Sequence, residues 1–162
     1  MIRAGVVTVS DRSFRKERAD ASGPEVARLL GSLPAAVVQQ VVVPDEPVFI
    51  RRVLLHFSDG LGLDLVVTTG GTGVDPRDVT PDATREVIDR DVPGMAEAMR
   101  AESGKTVPTA MLSRAIVGVR GRTLIVNLPG SPGGARDNLR AILAVLPHAI
   151  GKIRGEPGDC AP

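Results

Sequence analysis

Residues 69–78 read Thr-Gly-Gly-Thr-Gly-Val-Asp-Pro-Arg-Asp, with three glycines, Gly70, Gly71 and Gly73, inside four positions. Glycine lacks a Cβ, so it takes positive φ freely and lets backbone N–H groups come close to a ligand. Successive N–H groups in such a turn make a concave site for an anion. That chemistry suits phosphate. A tight turn from strand to helix needs one glycine, and three exceed that need.

Asp78 follows the loop directly and is the acid best placed beside a bound phosphate, although it could also tie down the turn. A carboxylate next to a polyphosphate needs a cation between them. Mg²⁺ held by one or two carboxylates plus phosphate oxygens is the usual arrangement. Asp45 is a second candidate ligand or a helix cap. Asp75 fits an exposed turn. Asp82 fits a first helical turn, where the macrodipole favours an acid. Arg12, Arg77 and Arg114 could offset phosphate charge or be solvated surface residues. Ser113 and Ser131 could donate hydrogen bonds to a ligand, and Ser131 is also a good N-cap.

The elements that must hold these residues follow from pattern. Ile2–Val9 is apolar and β-branched, as a buried strand should be. Ser22-Gly-Pro-Glu25 has the form of a capping box, and Val26, Leu29, Leu30 and Leu33 follow at helical spacing. Ala35–Val43 and Leu63–Thr69 are further strands. Between them a helix starting near Pro47 would turn Phe49, Val53 and Phe57 inward. Thr80-Pro81 opens another helix, with Ala83, Val87 and Ile88 on its inner face, and Pro93–Glu102 forms the next. Arg114–Val119 and Thr123–Leu128 flank Arg120-Gly-Arg122 as a hairpin. One last helix carries Ala135, Leu139, Ile142, Leu143 and Leu146.

Strands alternating with helices predict an α/β fold of three layers, a mostly parallel sheet with helices on both faces. Ligands in such sheets bind outside the carboxyl ends of the strands, where strand order reverses. Those ends carry Ser10-Asp11-Arg12, Pro44-Asp45, Gly70-Gly71-Thr72-Gly73 and Pro129-Gly130-Ser131. All can therefore meet in one pocket, and Ser10 and Asp11 join the candidate ligand-binding residues.

Composition removes several alternatives. The chain has 162 residues, enough for one domain, expected over residues 1–150 with a flexible tail over 151–162. Net charge is +1 with both signs interspersed, and Trp and Tyr are absent, so neither an electrostatic nor a stacking surface for nucleic acid is expected. No apolar run nears the ~20 residues that cross a bilayer, so no membrane role is expected. Cys160 is the single cysteine, and the two histidines, His56 and His148, lack zinc-ligand spacing. A reducing, cytoplasmic setting follows. Two nucleotide motifs fail: Pro76 replaces the third glycine of a GxGxxG, and Met99 stands where a Walker A loop ending Gly104-Lys-Thr106 needs glycine.

Ser10-Asp11-Arg12, Asp20-Ala-Ser-Gly-Pro24, Val43-Pro-Asp45-Glu46, Thr69-Gly-Gly-Thr-Gly73, Arg77-Asp-Val-Thr-Pro-Asp-Ala-Thr84, Met111-Leu-Ser-Arg114 and Asn127-Leu-Pro-Gly130 occur in this order along the chain. Together they resemble the Mog/MoaB family of molybdenum-cofactor biosynthesis proteins, related to the gephyrin G domain. The resemblance implies a molybdopterin-binding fold, a homotrimer, and a molybdopterin adenylyltransferase. Such an enzyme moves AMP from MgATP to the terminal phosphate of molybdopterin and releases pyrophosphate. It then serves a MoeA-type protein that inserts molybdate. By position, Asp45 and Asp78 match the family's two functional acids and would hold Mg²⁺. Gly70, Gly71, Thr72 and Gly73 match its phosphate loop, and Ser113 with Pro129, Gly130 and Ser131 its pterin side. Ser131-Pro-Gly-Gly134 resembles MoaB-like members as much as Mog-like ones, so a non-catalytic molybdopterin-binding protein is the alternative.

Overall fold

In the computed structural model, which describes residues 1–157, the Val/Ile-rich opening run forms β1 (Ile2–Val9). The other strands are β2 (Ala35–Val43), β3 (Leu65–Thr69), β4 (Arg90–Asp91), β5 (Val117–Arg120) and β6 (Thr123–Leu128). They form one sheet in the order β2-β1-β3-β6-β5-β4. β2, β1, β3 and β6 are parallel, whereas β5 runs antiparallel to β6 and β4 antiparallel to β5. The expected α/β sheet and hairpin are present. The two-residue β4 gives no pattern long enough to be read.

Each buried strand sends alternate side chains to two cores. Ala4, Val6, Leu65, Val67, Leu124 and Val126 meet α2 (Ser22–Leu30), α5 (Pro93–Gly104), α6 (Pro132–Leu143) and α7 (Leu146–Arg154). Val7, Val9, Val66 and Ile125 meet α3 (Pro47–Leu55) and α4 (Thr80–Arg85). The strands read as continuous apolar runs because both faces are covered.

Several local expectations are corrected. A four-residue α1 (Asp11–Phe14) follows β1 directly, with Ser10 as its N-cap. The Ser22–Glu25 capping box does not form. Ala21 is the N-cap of α2, and Asp20 just before it accepts the Gly23 N–H at 3.0 Å, while Glu25 pairs with Arg28. The inner face of α3 is Ile50 and Leu54, followed by Phe57; Phe49 points outward, 6.4 Å from the Phe14 ring. The last helix is two helices, α6 and α7. Residues 151–154, expected in the tail, complete α7, which ends on left-handed Gly155. Cys160 lies outside the described residues. No described helix is long and apolar enough to cross a membrane.

The end of α7 is tied to the sheet by Asp64. Its carboxylate accepts Arg154 Nε at 2.9 Å and the Arg3 N–H at 2.7 Å. Burial pulls its pKa up, but these hydrogen bonds outweigh burial and hold it below 3.8. A depressed carboxylate stabilises the fold above its unfolded pKa, and that stability is lost as pH falls through the folded value. Asp64→Asn is therefore expected to cost about 1.5–3 kcal/mol at pH 7. In urea unfolding the deficit should shrink as pH drops below about 3.8. A deficit that persists unchanged in acid would contradict the ionised pairing.

Candidate active site

β2 lies on one side of β1 and β3 on the other, so strand order reverses at β1. The crevice outside the carboxyl ends of β1 and β3 is where such sheets bind ligands. A cavity of about 760 Å³ opens there, lined by Ser10, Asp11, Asp45, Gly70, Gly71, Gly130 and Ser131 among others. A neighbouring cavity of about 410 Å³ carries Thr72, Gly73, Ser113, Pro129 and Ser131. Ser131 belongs to both walls. The candidate residues thus form two basins on either side of the glycine loop. Asp78 lines neither basin.

The loop's carbonyls are held from behind. Thr80 Oγ1 donates to the Gly70 carbonyl at 2.9 Å, and the Thr80 N–H to Gly71 at 3.0 Å. The Arg114 N–H donates to the Thr72 carbonyl at 2.7 Å, and Arg114 Nε to Gly73 at 2.8 Å. Gly70 (φ 109°) and Gly71 (φ 65°) take conformations that disfavour other residues. The N–H groups of Gly71, Thr72 and Gly73 donate no hydrogen bond within the described residues, although Thr72 is buried. Gly71 and Gly73 are half-buried, and three adjacent unpaired N–H groups make a concave site open to an external acceptor.

Asp45 is not a helix cap: Glu46 is the N-cap of α3. Its Oδ2 accepts the Asp11 N–H at 2.7 Å, and Asp11 Oδ1 accepts the Asp45 N–H at 3.0 Å. This reciprocal bridge joins the ends of β1 and β2. Arg77 closes it from outside, with Nη2 2.9 Å from Asp11 and 3.1 Å from Glu46. Asp45 Oδ1 faces Gly71, 3.1 Å from where a Cβ would stand. Burial pushes the Asp45 pKa up against the Asp11 N–H bond, and the charges of Asp11 and Asp78 push the same way. Asp11 is pulled below its usual range; burial opposes this, but the Asp45 N–H and Arg77 prevail. Asp45 is therefore a carboxylate whose charge would gain from a cation.

Asp78 stands behind Gly73, with Oδ2 2.7 Å from the position of a Gly73 Cβ, and accepts the Asp75 N–H at 3.0 Å. It does brace the turn. Its Oδ1 and that of Asp45 accept no hydrogen bond within the described residues. Among those residues no three acids, histidines or cysteines group as a metal cage. Two uncommitted carboxylate oxygens beside the glycine loop could hold Mg²⁺, which keeps waters and takes substrate phosphates rather than a complete protein shell. Asp82 is structural, paired with Arg114 at 3.0 Å. Ser131 is the N-cap of α6, accepting the Gly134 N–H at 3.1 Å.

Under the loop, buried Asn127 donates to Thr68 and Thr84 hydroxyls, both at 3.0 Å, and accepts the Ile116 N–H. This network fixes α4 against β3 and β6, and with it the start of the helix beneath the loop.

Comparison with known proteins shows the family. The family model described as the probable molybdopterin binding domain matches residues 5–148. The chain belongs to this molybdopterin-binding family. A Helicobacter pylori relative named molybdopterin adenylyltransferase is 40% identical over 95% of this chain and 89% of its own. Gephyrin of Dictyostelium discoideum is 40% identical over 98% of this chain, which spans 23% of that longer protein. The solved structure of a molybdopterin biosynthesis enzyme, MoaB of Thermus thermophilus, is 52% identical, with a TM-score of 0.92 over 98% of this chain and 100% of the other.

Within this member of the family, sequence reasoning missed part of the walls. Thr8, Arg18 and Asp20 line the larger basin, and Thr106, Thr109 and Asn138 the smaller. Thr8 is hidden in an apolar strand and Asp20 behind an apparent capping box.

Proposed function

We propose that the chain is a molybdopterin adenylyltransferase of molybdenum-cofactor biosynthesis. ATP occupies the larger basin and molybdopterin the smaller, with the reacting phosphates meeting over Gly70–Gly73. An oxygen of the molybdopterin phosphate attacks the α-phosphorus of ATP. A P–O bond forms there, the bond to the β-phosphate breaks, and its electron pair leaves with pyrophosphate. The substrate supplies the nucleophile, in accord with a site that contains no Ser/His/Asp or Cys/His arrangement among the residues lining either basin. Positioning and charge stabilisation supply the catalysis in such transfers.

The observation that carries this reading is the run of unpartnered amides at Gly71, Thr72 and Gly73 beside two uncommitted carboxylate oxygens. The adenylyltransferase names of relatives support it. Asp45 and Asp78 would hold Mg²⁺, which when bound neutralises phosphate charge. Ser10 and Asp11 shape the nucleotide side and Thr72, Gly73, Ser113 and Pro129 the pterin side, while Ser131 lines both basins and Gly130, matched by the resemblance to the pterin side, lines the larger one. In this reading the protein acts in the cytoplasm as a homotrimer and hands its product to a MoeA-type molybdate-inserting protein.

The hydrogen bond from the Asp75 N–H to Asp78 favours one other reading, a non-catalytic molybdopterin-binding protein in which Asp78 only braces the loop. Pyrophosphate release separates the two. The enzyme reading predicts release that requires ATP, Mg²⁺ and molybdopterin together. Molybdopterin binding without release supports the binding protein.

A further inference from the structure

Most arginines around the crevice are committed. Arg15 pairs with Glu17, Arg77 with Asp11 and Glu46, and Arg114 with Asp82. Arg12 and Arg18 also line the larger basin, yet neither is within ion-pair distance of a carboxylate among the described residues. Arg18 reaches only the Ser10 hydroxyl, at 3.4 Å. The chain between them is bent to bring both onto one lip. Lys16 is the single non-glycine residue with positive φ (60°) among those described, and the Glu17 N–H returns to the Arg12 carbonyl at 2.9 Å. A left-handed lysine is an uncommon conformation, and such strain concentrates at functional sites.

We infer that Arg12 and Arg18 form a clamp for the β- and γ-phosphates of ATP, and so for the pyrophosphate that leaves. The inference rests on the adenylyl-transfer reading for its substrate but on this lip for its geometry. The α-phosphate belongs over the glycine loop, with Asp45 beside it. The leaving diphosphate carries more negative charge than one divalent cation neutralises. Two guanidiniums supply the remainder, with planar donor sets suited to phosphate oxygens.

Calorimetric titration of Mg²⁺-pyrophosphate and of AMP into wild type and the Arg12→Gln/Arg18→Gln protein tests the clamp. Pyrophosphate affinity should fall by about 100-fold, as expected for loss of two charge-assisted contacts. AMP affinity should change less than about twofold, because AMP lacks the clamped groups. The Arg12→Lys/Arg18→Lys protein should recover only part of the pyrophosphate affinity, since it keeps both charges but loses the planar donor sets. Neither side chain forms an ion pair with a carboxylate among the described residues, so the melting temperature of the Gln protein should stay close to wild type. Equal pyrophosphate affinity in wild type and the Gln protein, a parallel loss of AMP, or wild type that does not bind pyrophosphate would each overturn the clamp. Absence of turnover in wild type would instead remove the adenylyl-transfer reading, since the titration needs no turnover.

Discussion

Asp78→Asn is expected to fold, to bind molybdopterin, and to turn over about 10²–10³-fold more slowly than wild type. The replacement keeps an oxygen that can accept the Asp75 N–H, so the brace on the loop survives. It removes the charge, and with it one of the two acids beside the glycine loop. Asp45 would feel less repulsion, because Asp78 is among the charges that raise its pKa. Steady-state kinetics with ATP, Mg²⁺ and molybdopterin, beside a urea melt, separate these effects. Wild-type turnover in the Asn protein would leave Asp78 with the bracing role alone. Loss of fold would contradict the claim that the brace does not need the charge.

Gly70→Ala is expected to destabilise the protein by about 3 kcal/mol or more. Gly70 has φ 109°, and a Cβ there would collide with the Val9 carbonyl oxygen, which belongs to β1 backbone and cannot move aside. Gly62→Ala is the control. Its φ is 59° and nothing lies within 4 Å of an added Cβ. It should cost only about 1–2 kcal/mol, the penalty of the left-handed conformation alone. Equal losses for the two variants in chemical denaturation would mean that the approach of the loop to β1 is not the constraint described. A large gap would show that the glycine run is partly a packing requirement. Gly130 also closes on the loop, since a Cβ added to it would stand 3.2 Å from the Gly70 Cα. Close backbone packing thus asks for glycine here, as the proposed phosphate binding would too.

The strand ends are legible because they are local. Val-rich runs stopping at Ser10, Asp45 and Gly70 show where strands finish, and a parallel sheet brings such ends to one edge. The Gly-Gly-Thr-Gly run announces through residue type alone a loop of positive-φ glycines with unpaired N–H groups. What escapes the sequence is set by tertiary contacts. Asp45 is an open choice between ligand and cap until its partner, the N–H of Asp11, appears 34 residues away. Arg114 could pass for a surface residue, yet it holds Gly73, Asp78 and Asp82 together across more than 30 positions. Ser22 does not cap α2, because Asp20, two residues earlier, already accepts the Gly23 N–H. Phe49 reads onto the wrong face of α3 because a helix of nine residues leaves its register loosely fixed. The division of the site into two basins depends on how the glycine loop stands between α4 and α6, which no local pattern encodes.

The central claim is that phosphate joins phosphate over the Gly70–Gly73 amides. Phosphorus NMR of the protein with ATP, Mg²⁺ and molybdopterin tests it most directly. The account predicts that the phosphomonoester signal of molybdopterin is replaced by a coupled phosphoanhydride pair while pyrophosphate grows in step. A monoester signal that stays unchanged while the protein demonstrably holds molybdopterin would contradict it.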